Sequence, residues 1–165
     1  MHPAALAVAD LLEQVEERHA RRSGPGGQHR NKTQTAVILR HRPTGIGAEA
    51  TERRSQAENR QVAVRRLRMR LAIEHRTPGA APAASPRWMA RVRAGHLVVA
   101  VGHEDYPALI AEALDALHAN GFDMRGTAAG LGVTATQLLK LFKKDSTAWT
   151  ALGSLRADRG LPPLM

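Results

Sequence analysis

The groups best suited to chemistry in this 165-residue chain lie in Ser23-Gly24-Pro25-Gly26-Gly27-Gln28. Glycine loses the most backbone freedom on ordering and proline lacks an N–H, so the stretch is excluded from helix and strand interiors and predicts an exposed loop. With no side chains at Gly26 and Gly27, the backbone there can approach another molecule closely, and Gln28 is left as the polar side chain at the tip. That arrangement suits a finger that grips or catalyses. A phosphate-binding loop is excluded, because its Lys-Ser/Thr pair must follow a glycine and Asn31 precedes Lys32-Thr33 here. The plain alternative is a flexible surface turn, which glycine and proline also favour.

The surroundings of the loop point to a polyanionic partner. The formal net charge is +9, and residues 1–79 hold fifteen Lys/Arg against eight Asp/Glu while residues 105–165 hold six of each. The basic surface therefore belongs to the first half, and nucleic acid is the partner class it favours. From Arg18 through Ala48 there is no acidic residue, while Arg18, Arg21, Arg22, Arg30, Lys32, Arg40 and Arg42 are all positive. A merely solvated face would mix signs. The absence of cysteine excludes disulfides, thiolate chemistry and cysteine-based zinc sites, and neither metal nor cofactor is expected. No apolar run approaches the roughly 18 to 20 residues of a membrane span, and Met1 to Leu12 has no positive segment ahead of its apolar stretch. A cytoplasmic protein is expected. Two Trp, one Tyr and two Phe are too few for a sheet that stacks RNA bases on exposed rings.

The stretch from Arg21 to Thr33 resembles the GGQ loop of class I peptide-chain release factors and their small ribosome-rescue relatives. The resemblance continues through Ala36-Val37, His41-Arg42-Pro43-Thr44-Gly45-Ile46 and Glu52-Arg53-Arg54-Ser55-Gln56-Ala57-Glu58-Asn59-Arg60, in the order and spacing of that domain. It covers the first half of the chain. It implies hydrolysis of the ester between a nascent peptide and the terminal tRNA ribose on the ribosome, with Gly26, Gly27 and Gln28 catalytic. The Gln28 backbone N–H would stabilise charge developing on oxygen, the glycines would set its conformation, and the Gln28 side chain would shape a pocket admitting water. No general base is evident, and the adjacent His29 reads as an RNA contact. The implied partners are rRNA at the peptidyl-transferase centre and peptidyl-tRNA.

The elements that must carry this loop give an α+β domain. Ala4 to Glu17 has near-helical apolar spacing and predicts a short helix, and from about Val15 to Arg21 a strand should lead into the loop. Thr33 to Arg40 returns as a strand, Pro43-Thr44-Gly45 turns, and Ile46 to Ala50 closes a hairpin. Ser55 to Ile73 predicts the main helix, with Ala63, Val64, Leu67 and Leu71 on its apolar face and Thr51 or Ser55 as cap. In the family, this Arg-Ser-Gln-x-x-Asn segment begins the helix beneath the loop, which carries over to Arg54, Ser55, Gln56 and Asn59. The other faces hold Arg60, Arg65, Arg66, Arg68 and Arg70, with no acid between Glu58 and Glu74. Together with Arg53 and Arg54, the last four complete the RNA-contacting set expected from Arg21, Arg22, Arg30, Lys32, Arg40 and Arg42.

Three regions are expected: the catalytic domain at 1–76, an uncharged Pro/Ala-rich linker at 77–86, and a mostly helical domain at 87–165. His96 to Val101 reads as a short strand and Tyr106 to Ala119 as a helix ended by Asn120-Gly121. Met124 to Leu131, a turn at Gly132-Val133 and Thr134 to Phe142 are similar to a helix-turn-helix. A three-helix scaffold that docks a protein partner is the other reading, and the neutral charge of this half favours it. Two departures from the family concern how ribosomes are chosen. No codon-reading tripeptide is recognisable, and Arg159 to Met165 is not the basic tail of the small rescue hydrolases. The competing functional class is a non-catalytic nucleic-acid-binding regulator that uses the first domain only to dock on rRNA.

Overall fold

The computed structural model of the chain describes residues 1–20, 35–79 and 83–164. A three-residue 3₁₀ turn at Pro3–Ala5 comes first, followed by helix α1, Val8–Glu13. Strand β1 begins at once, Val15–Ala20, so the single helix expected from Ala4 to Glu17 is corrected. Extended backbone at Leu6 and Ala7 divides it, and its last acids serve the sheet: Glu16 pairs with Arg18 and Glu17 with Arg60.

Strands β2, Ala36–His41, and β3, Gly47–Ala50, complete an antiparallel sheet in the order β1-β2-β3. Val37, Leu39, Ala48 and Ala50 are buried, as the period of two requires on a sheet with one covered face. Gly45 takes a left-handed φ of 73° in the turn between β2 and β3. A Cβ built on Gly47 would lie 3.0 Å from the Leu39 carbonyl oxygen, so a larger residue there would have to push the strand pair apart by a few tenths of an ångström.

Helix α2, Gln56–Glu74, covers the sheet. Ser55 caps it, its Oγ accepting from Glu58 N at 3.4 Å. The expected stripe of Ala63, Val64, Leu67 and Leu71 is buried, together with Asn59, Arg68 and Ala72.

Beyond α2 the chain is mainly helical. Pro86 opens a short helix α3, Pro86–Met89, rather than ending a linker, and Ser85 caps it by accepting from Trp88 N. The strand expected from His96 to Val101 shrinks to a two-residue pairing of β4, Val92–Arg93, with β5, His96–Leu97. Helices α4 (Tyr106–Ala119), α5 (Met124–Gly130) and α6 (Ala135–Lys143) follow the expected pattern. A further helix α7, Ser146–Ala157, adds to that pattern; Asp145 caps it, accepting from Thr147 N and Ala148 N.

Helix α4 packs against α2, and one apolar core runs from Leu11 and Leu39 through Leu67 and Leu71 to Trp88, Leu114 and Phe142. Arg76 also crosses from the first half to Asp115 of α4 at 3.0 Å, and the Ser85 N–H and Oγ–H both donate to Glu112 at 2.6 Å. No helix among the described residues is long and apolar enough to cross a membrane.

Candidate functional site

The loop residues Gly26, Gly27 and Gln28, with Arg21, Arg22, Arg30 and Lys32, lie outside the described residues. What the structure does describe is their mount. In the β1–β2 register Ala20 faces Ala36, so the two strands present both ends of segment 21–35 at one end of the sheet. At that end sits Asn59, fully buried in the first turns of α2. Its Nδ2 donates to Thr35 O at 2.7 Å and to Arg53 O at 3.0 Å, and its Oδ1 accepts from Arg53 N at 2.9 Å. One amide side chain thus fixes the residue where the loop segment rejoins β2 to the turn that starts α2. Three satisfied bonds to irregular backbone make Asn59 costly to replace.

The arginines separate into two groups. Arg40, Arg42, Arg53 and Arg54 are exposed. The Arg42 guanidinium also donates to the Glu13 carbonyl, whereas Arg40, Arg53 and Arg54 have no ion pair among the described residues. The α2 arginines are mostly committed. Arg60 pairs with Glu17 at 2.9 Å, Arg66 with Glu52 at 2.7 Å and Arg70 with Glu74 at 2.6 Å. Arg66 donates to Glu49 O at 2.8 Å, and Arg70 donates to the Gly47 carbonyl. Arg65 reaches Val101 O at 3.2 Å. Arg68 is a correction to the expected RNA-facing set: it is buried at 8% exposure and donates to Ala4 O at 3.0 Å. The acids that balance α2 come largely from β1 and the loop before the helix, which a count along the helix itself does not find.

The sheet's far corner holds His41, which is buried, with Nδ1 2.8 Å from Thr44 Oγ1 and Nε2 3.0 Å from Gln14 Oε1. Burial, with repulsion from His75, keeps this imidazole below its ordinary pKa. As a neutral ring it can donate to Gln14 and accept from the Thr44 hydroxyl, which orders the β2–β3 turn.

In the helix-turn-helix-like part, three of the polar side chains that a reading helix would offer make contacts within the fold, while Thr136 and Lys140 are exposed. Gln137 lies 2.6 Å from His96 Nδ1, Lys144 donates to Val99 O at 2.6 Å, and Lys143 lies 5.0 Å above the Trp149 ring. These contacts seat α6 on the β4–β5 hairpin and α7. Among the described residues no group of three or more His, Asp or Glu side chains is placed to hold a metal.

Residues 11–96, more than half of the chain, match the RF-1 domain family. The chain belongs to that family, the domain of class I peptide-chain release factors. The RF-1 domain here thus includes residues 21–34, strands β1 to β3, all of α2 and β4, and ends at the first residue of β5. Peptide chain release factor 1 of Acidiphilium cryptum is 49% identical over 67 residues, which is 41% of this chain and 19% of that protein. Peptide chain release factor 2 of Variovorax paradoxus is 59% identical over 51 residues, 31% of this chain and 14% of that protein. The mouse protein named peptide chain release factor 1-like, mitochondrial, is 51% identical over 55 residues, 33% of this chain and 15% of its own length. The chain therefore spans less than a fifth of each of these relatives.

Proposed function

We propose that this chain hydrolyses the ester of peptidyl-tRNA on the ribosome, with Gly26, Gly27 and Gln28 as the reacting loop. The observation that carries this reading is the RF-1 domain match over residues 11–96, which takes in the loop together with its strands and α2. Water adds to the ester carbonyl carbon, and the Gln28 N–H stabilises the oxyanion that forms. The bond to the tRNA ribose oxygen then breaks, and that oxygen leaves with a proton originating from the water. The chain supplies positioning and an oxyanion donor, while ribosome and tRNA groups carry the proton. Arg21, Arg22, Arg30, Lys32, Arg40, Arg42, Arg53 and Arg54 meet rRNA and tRNA phosphates in the cytoplasm.

In the same reading, residues 87–165 select the ribosome state, stalled or terminating. Because Gln137, Lys143 and Lys144 are engaged within the fold, a protein contact or a shaped RNA contact suits this part better than base reading in DNA. A peptide-release assay on ribosome complexes with empty and with occupied A-site codons tests the whole. Release by the wild type, lost in Gly27→Ala with ribosome binding retained, is the expected result. Release that persists in Gly27→Ala removes the catalytic role, and ribosome binding with no release by the wild type favours the non-catalytic regulator.

A further inference from the structure

A cavity of about 300 Å³ opens between α2 and the segment that leads into α4. One wall carries Arg60, Arg65 and Arg68; Val64, Met69 and Pro107 give the cavity an apolar side. The N-terminus of α4 borders it through Tyr106, and Asp105 makes no side-chain cap there. Residues 101–107 lie beyond the RF-1 match, which ends at residue 96. Half of the cavity is thus built by the segment that follows the RF-1 domain.

Apart from Arg60, the arginines of the cavity form no ion pair among the described residues, and two carboxylates, Glu104 and Asp145, share the lining with them. Arg60 is neutralised by Glu17, but Arg65 donates to a backbone carbonyl, and no carboxylate pairs with Arg68 among the described residues. The Arg68 Nε is sealed from solvent and has no acceptor. Burial pulls its pKa below the ordinary arginine value, Arg87 adds repulsion, and Glu104 and Asp105 oppose both. Of the cavity's own acids, Glu104 stays exposed at the rim, and Asp145 spends Oδ1 on the amides that start α7. A buried guanidinium whose Nε has no acceptor is destabilising, and an anion that reached it would supply one.

We propose that this cavity binds a small organic anion, its carboxylate or phosphate group set against Arg68 and Arg65 and its apolar body against Val64, Met69 and Pro107. The size suits a single small molecule. Its binding joins α2 to the segment after the RF-1 domain.

Calorimetric titration of the full chain with phenyl phosphate and with phenylacetate tests the site, with inorganic phosphate and benzyl alcohol as the head group and body alone. At least one of the two anions should bind saturably and more tightly than either half, and which one does names the head group. Arg68→Met keeps the buried stem, gives up the bond to Ala4 O, and should weaken that binding by about tenfold or more. Met69→Trp fills the cavity and should abolish binding. Absence of saturable binding by both anions overturns the site, as does unchanged affinity in a folded Arg68→Met protein. Should Arg68→Met not fold, Met69→Trp decides: undiminished binding there overturns the site equally.

Discussion

Asn59 and Trp88 are both completely buried, yet they close regions built on different terms. Asn59 is enclosed by directional contacts: its own three bonds to Thr35 and Arg53, then Arg60 on Glu17 and Arg66 on Glu52. The Trp88 side chain makes one hydrogen bond, from Nε1 to Leu131 O at 2.9 Å, and otherwise belongs to the shared apolar core. Apolar burial is strong but has no direction, whereas hydrogen bonds are modest in net energy and exact in placement. The chain uses the second kind at Thr35, where it rejoins the sheet at β2. It uses the first where helices need only stay packed.

The largest expected effect breaks the apolar side of this contrast. Trp88→Ala should cost about 3–5 kcal/mol, measured as a lower urea midpoint with Trp149 as the remaining fluorophore. A loss under about 1 kcal/mol would mean that α3 is not part of the common core. Asn59→Ala should cost somewhat less, about 2–3 kcal/mol for the buried backbone groups it leaves unpaired. It should also reduce peptide release far more than ribosome binding, and release at the wild-type rate would show that the loop needs no such mount. The third measurement separates the two arginine groups. Replacing Arg53 and Arg54 by Gln should lower the salt slope of ribosome or RNA binding by about 0.7–0.9 for each phosphate that is no longer neutralised. The same change at Arg66 and Arg70 should move it little and cost at most about 1 kcal/mol of stability in total, since both pairs are half exposed. Equal slopes in the two variants would erase the distinction.

The smallest effect is a pH dependence. His2 and His41 both have pKa values lowered chiefly by burial, so the unfolded chain binds more protons than the folded one just below the ordinary histidine range. Stability from these groups is therefore complete above about pH 6.5 and declines as pH falls towards the folded-state values. Urea midpoints taken either side of that point should show the decline, and His41→Gln should flatten it.

Much of the scaffold was legible in the sequence because its signals are local. The stripe of Ala63, Val64, Leu67 and Leu71, the Ser55 cap and the Gly45 turn each act within a few residues. Helix α7 escaped because Ser146-Thr147-Ala148-Trp149-Thr150 reads as polar; the Asp145 cap with Ala148, Leu152 and Leu155 was the available signal. The roles of the arginines could not be read from helical spacing. The partner of Arg60 lies 43 positions away and that of Arg66 lies 14 away. Asn59 was partly legible, since it stands four residues before Ala63 on an otherwise apolar stripe, and a polar side chain there must find partners inside.

Helix α2 also sets a length. Asn59 holds Thr35, where the chain rejoins β2, near one end, and just past the other end Arg76 holds Asp115 of α4. At 1.5 Å per residue, Asn59 and Glu74 are about 22 Å apart along the axis. Inserting four residues in the exposed middle of α2 would advance the far end by about 6 Å and rotate it by roughly 40°. Whatever the C-terminal helices touch would then no longer coincide with the reach of the loop, although neither region had been altered in itself.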